Sequence, residues 1–82
     1  MQYSGDSRGH IVAEVTGAGQ FVTLEDGSQW EVYEGFMSRS LRWQAGDLIT
    51  VKPASDDEFP YLLVNINFND SVESRLIGSA AR

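Results

Sequence analysis

Apolar residues in this chain recur at every second position in short runs, the spacing of extended strands that turn one face to a core. From Gly9 onward Ile11, Ala13 and Val15 alternate with His10, Val12, Glu14 and Thr16, which predicts a half-buried first strand ended by Gly17-Ala18-Gly19. Phe21 to Glu25 and Ser28 to Tyr33 then read as the two arms of a hairpin. Its loop length decides which side chains share a face. A two-residue loop, Asp26-Gly27, would set Thr23 opposite Trp30 and mix polar with apolar residues on both faces. A three-residue loop, Glu25-Asp26-Gly27, closes as a type I turn with Gly27 left-handed in a bulge, and pairs Val22 with Trp30 and Leu24 with Ser28. Val22, Leu24, Trp30 and Val32 then share one face, so Trp30 is expected to be buried and a side chain at position 27 to be strained.

The alternation breaks over Glu34 to Arg42, where Phe36, Met37, Ser40 and Leu41 fit one face of a short helical turn. Trp43-Gln44-Ala45-Gly46-Asp47 is a second turn, after which Ile49 and Val51 alternate with Leu48, Thr50 and Lys52 in a fourth strand that Pro53 stops. Ala54 to Glu58 is a charged loop. Pro60 opens the most apolar strand, Tyr61 to Phe68, with Leu62, Val64, Ile66 and Phe68 assigned to its inner face and Tyr61, Leu63, Asn65 and Asn67 to its outer one. Asn69-Asp70 turns the chain into a last strand, Ser71 to Ile77. Residues 1–8 read as a flexible lead-in, 9–78 as a single domain and 79–82 as a tail. Six short antiparallel strands with regular turns predict an all-β fold, a small closed or partly open barrel of SH3-like or OB-like type, with one short irregular or helical segment at about 34–42. Closure would also remove the sticky edges that strands this apolar leave in an open sheet.

At 82 residues the chain has room for one core, and with no cysteine that core must hold without disulfides or a thiolate metal site. The longest apolar run, Tyr61-Leu62-Leu63-Val64, is too short to span a bilayer, and Met1-Gln2-Tyr3-Ser4 has no signal-peptide character. A soluble chain is expected, cytoplasmic, or exported if a signal was removed. Twelve Asp and Glu against six Lys and Arg give a formal charge of -6, which disfavours nucleic acid by repelling phosphate. The cations are unevenly placed, though: Arg39, Arg42 and Lys52 fall within or just after a segment that holds Tyr33, Phe36, Met37 and Trp43.

Three groups of residues could carry chemistry. His10 follows Gly5-Asp6-Ser7, a faint echo of a serine nucleophile, but a triad needs rigid geometry that a lead-in does not offer. Asp56-Asp57-Glu58 lacks the ligand spacing of a calcium loop and reads as solvated. Asn65 and Asn67, on one face of a strand, could hydrogen-bond a sugar, a peptide or a cation, against the plainer reading that they bond loops and build the Asn69-Asp70 turn. No catalytic constellation, metal site or cofactor is expected. The stronger expectation is a binding surface on the aromatic and basic segment, with Trp43 given to the core and Arg39 and Arg42 left exposed.

The series Leu24-Glu25-Asp26-Gly27-Ser28-x-Trp30, Trp43-x-x-Gly46-Asp47-x-Ile49-x-Val51 and Pro60-Tyr61-Leu62-Leu63-Val64-Asn65 resembles a family of small uncharacterised bacterial β-barrel domains, over roughly residues 10–78. The resemblance implies a barrel and brings no activity with it. The expected function is a non-enzymatic module that contacts a protein or peptide through residues 34–43, with Phe36, Arg39, Arg42, Asn65 and Asn67 as binding candidates and self-association as a variant of the same reading. The alternative is an OB-type binder of single-stranded nucleic acid or glycan using aromatic stacking with Arg39, Arg42 and Lys52.

Overall fold

The computed structural model describes residues 10–79. Six strands, β1 (His10–Thr16), β2 (Phe21–Leu24), β3 (Ser28–Val32), β4 (Leu48–Pro53), β5 (Tyr61–Asn65) and β6 (Asp70–Ser79), close into an antiparallel barrel in the order β1-β2-β3-β6-β5-β4. Two three-stranded meanders thus face each other, joined by a connection that carries a 3-10 turn, Glu34–Phe36, and the single helical turn α1, Met37–Ser40. No helix among the described residues is long and apolar enough to cross a membrane.

The hairpin forms in the three-residue register. Val22 pairs with Trp30 and Thr23 with Gln29, the Gly27 amide donates to the Leu24 carbonyl, and Gly27 has a φ of 90°. Val22, Leu24, Trp30 and Val32 are all buried. A relay of bonds holds the indole to the loop: Trp30 Nε1 donates to Ser28 Oγ at 2.9 Å, and the Ser28 hydroxyl donates to Asp26 Oδ1 at 2.6 Å. The other Asp26 oxygen lies 3.5 Å from Nδ1 of the buried His10, so this histidine belongs to the framework of the hairpin. The Gly5-Asp6-Ser7 echo, the lead-in at 1–8 and most of the tail lie outside the described residues.

Two strands differ in phase from their sequence pattern. In β1 a register shift between Val12 and Glu14 leaves Ala13 and Glu14 exposed, so His10 and Val12 point into the core where Ile11, Ala13 and Val15 read as the apolar set. In β5 the faces are exchanged. Leu63 and Asn65 are fully buried, Leu62 and Val64 only half-buried, and the strand ends at Asn65, so Ile66 and Phe68 stand in solvent instead of inside. The core gathers Val12, Val22, Leu24, Trp30, Val32, Trp43, Ile49, Val51, Leu63, Val72 and Leu76, with Tyr61 meeting Trp30 edge to face at 5.3 Å. Each residue of this cluster is apolar, and its removal from water is the main favourable term in folding.

Candidate functional site

In the ring order β3 and β4 are diametrically opposed, so residues 33–47 have to cross one end of the barrel. The path begins where the Tyr33 amide bonds the Glu73 carbonyl at 2.8 Å and ends where the Gly46 amide bonds the Val12 carbonyl at 2.9 Å. Between them α1 rests on the β1–β2 connection. Ser40, fully buried, donates from Oγ to the Gly19 carbonyl at 2.6 Å, and Gly19 adopts a φ of 96° directly beneath α1. Trp43 follows and is buried in the core, as its place before the Gly46-Asp47 turn suggests.

Arg39 and Arg42 are exposed, and both are tied to the start of β6. Arg39 Nη1 donates to the Ser71 carbonyl at 3.0 Å while its Cζ lies 4.8 Å from the centre of the Phe36 ring. Arg42 pairs with Asp70 at 2.9 Å and stands 5.8 Å from the Phe68 ring. Phe36, Arg39 and Arg42 therefore share one band of surface. Asn65 does not join it. Its Nδ2 donates to Asp47 Oδ2 at 3.0 Å and its Oδ1 accepts from the Phe68 amide at 3.1 Å, all inside the barrel end. Asn67, beyond the strand, accepts from the Leu48 amide at 2.8 Å. Both amides thus bond loops, and the shared outer face assigned to them is absent because β5 stops between them.

Asp47 Oδ2 also accepts from the Gln44 amide at 3.0 Å, so Asn65 and Asp47 together fasten the crossover to the β5–β6 turn. Replacing Asn65 by Leu keeps the branched shape but takes from the half-buried Asp47 carboxylate one of its two donors and from the Phe68 amide its acceptor. The expected loss is about 2–3 kcal/mol, read as a fall in melting temperature of roughly 10–20 °C. An unchanged melting curve would mean that water satisfies both groups.

At one end of the band three rings stand in a row. Tyr33 meets Phe36 at 6.1 Å and Phe59 at 5.2 Å, both edge to face. Phe59 reaches this place because Asp56 Oδ1 accepts from the amides of Glu58 and Phe59, at 2.8 and 2.9 Å, and curls the β4–β5 loop back. Arg75 lies 5.2 Å from the Phe59 ring centre and bonds Glu31 through Nε at 2.8 Å and Nη2 at 2.6 Å. A cleft of about 270 Å³ opens here, lined among others by Tyr33, Glu34, Met37, Glu58 and Phe59. At the other end Leu48, Ile66 and Phe68 expose large apolar surfaces, 43%, 59% and 39% respectively. The Ile66 amide donates to the Leu48 carbonyl at 2.9 Å, which sets these two residues side by side, and Arg42 flanks Phe68. Sequence reasoning read Glu58 only as part of a solvated loop and passed over Phe59 and this patch. The Asp56-x-Glu58-Phe59 turn was a usable signal, whereas Ile66 and Phe68 were hidden by the strand pattern.

No protein-family model matches the chain, and no curated protein or solved structure matches it either.

Proposed function

We propose that this barrel is a non-enzymatic interaction module that binds a protein or peptide along the band formed by residues 34–43 and the β5–β6 turn. The observation that carries the reading is the grouping of Leu48, Ile66 and Phe68 in solvent beside Arg42, large apolar side chains that closed barrels ordinarily keep inside. Arginine and aromatic side chains are also what protein contacts favour most. The partner that fits presents an apolar segment flanked by carboxylates. Around a chain of formal charge -6, an acidic partner is repelled except where Arg39 and Arg42 lie, so these two residues set its register.

The test starts from a partner captured with the intact protein, and then measures the affinity of the purified pair. Phe68→Ser and Arg42→Glu are each expected to weaken binding at least tenfold, with the arginine variant losing the salt dependence of the association rate. Equal affinity for both variants would overturn the assignment of this face. A second copy of the chain as the captured partner would recast the module as a self-associating one. The OB-type alternative would draw on the same two arginines, against a formal charge of -6 that repels a phosphate backbone along its whole length. An oligonucleotide bound at low salt and released as salt rises would nevertheless favour that alternative over a protein partner.

A further inference from the structure

The three-ring row at the other end of the band shows a regular accompaniment of cations. Phe36 carries the guanidinium of Arg39 at 4.8 Å, and Phe59 carries that of Arg75 at 5.2 Å. Tyr33, between them and 44% exposed, carries none among the described residues. The same alternation runs through the carboxylates. Glu31 is paired with Arg75, while Glu34 and Glu58, which line the cleft with Tyr33, make no side-chain hydrogen bond or ion pair among the described residues. A half-exposed ring with no cation against it and two negative charges therefore line one cleft, whose volume of about 270 Å³ exceeds what a guanidinium or a chain-terminal ammonium fills.

From this we infer that the cleft is a binding site for an organic cation, a guanidinium or alkylammonium group that lies against Tyr33 and bonds Glu34 and Glu58. Aromatic faces attract such groups through the ring quadrupole, and the carboxylates fix their donors. Arg75 provides the pattern within the protein: one guanidinium stacked on Phe59 and bonded twice to Glu31. Gly35 keeps the wall in place, since a Cβ there would stand 2.9 Å from Tyr33 Cε2 and push the ring aside. Met37 supplies an apolar wall for the methylenes that precede the charge. The cation can come from an arginine or lysine side chain of a peptide or from a free polyamine. The site stands on its own residues, independent of whether the Phe68 face has a partner.

Amide chemical shifts of the full chain, followed by NMR during titration, test this directly. Acetyl-Gly-Arg-Gly-amide and spermidine are expected to shift Tyr33, Glu34, Glu58 and Phe59 saturably, with dissociation constants on the order of a millimolar for so exposed a site. The peptide with citrulline in place of arginine, which keeps the shape and loses the charge, is expected to bind at least tenfold more weakly. Glu58→Gln and Tyr33→Leu, both at exposed positions, should each weaken the arginine peptide about three- to tenfold while leaving the spectrum of the β-strands unchanged. Tighter binding of the peptide would name a peptide-borne side chain as the source, and tighter binding of spermidine a free amine. Absence of shifts at the cleft, or equal binding of the citrulline peptide, would overturn the proposal.

Discussion

Trp30→Ala will take from this chain a large share of its stability. The indole is fully buried, meets Tyr61 edge to face and bonds Ser28 from Nε1. Truncating a buried tryptophan costs about 3–5 kcal/mol, from lost transfer free energy and the cavity left behind. A chain of this length has a total stability of roughly 4–12 kcal/mol, so the loss removes most of it at the lower end. Circular dichroism and thermal melting will show either no cooperative transition or one lowered by more than about 15 °C. Trp30→Phe separates packing from the bond: it keeps a ring, releases the Ser28 acceptor and should cost about 1–2 kcal/mol. A Trp30→Ala protein that melts within a few degrees of the parent would remove the indole from the centre of the fold.

Gly19→Ala will be nearly as damaging, for a different reason. A Cβ at this position would stand 2.5 Å from the Met37 carbonyl oxygen and 2.8 Å from the Leu41 nitrogen, both backbone atoms that no rotamer change can move. The φ of 96° adds its own strain for any residue with a side chain. Together these terms give an expected loss of about 2–4 kcal/mol. Gly46→Ala is the matched comparison, because its φ is 99° and nothing lies within 4 Å of the added carbon. That variant should cost only the strain, about 1–2 kcal/mol. Denaturant unfolding of the two proteins therefore measures how tightly α1 presses on the β1–β2 connection. Equal losses would mean that the crossover yields freely.

The difference between these two glycines could not be read from the chain, where both stand simply in turns. What was legible depended on local chemistry. Glu25-Asp26-Gly27 fixes a loop length, the loop length fixes a register, and the register carries Trp30 inward. The breakdown of alternation after Tyr33 likewise marked the crossover, and Trp43 before a glycine turn marked its buried end. Tyr61-Leu62-Leu63-Val64 was ambiguous because both faces of that strand are apolar, so periodicity has no phase to report. The deciding residue was Asn65, whose partners Asp47 and Phe68 come from a loop and a turn. In β1 a single bulge shifted the alternation midway. The candidate site divided in the same manner. Phe36, Arg39 and Arg42 stand together in the sequence, but Ser71 and Asp70 meet the two arginines, and Phe59 meets Tyr33, only through the closure of the sheet.

That closure is unequal around the ring. β3 and β6 pair at five positions, whereas β1 and β4 pair at two, His10 with Ile49 and Ile11 with Leu48. The seam is continued by the crossover, through the Val12 amide to Asp47 and the Gly46 amide to the Val12 carbonyl, each at 2.9 Å. A loop thus serves as the clasp of the cylinder. Any event that pulls on residues 34–47 from outside, such as a ligand seated along them, strains the same line at which the cylinder is easiest to unroll.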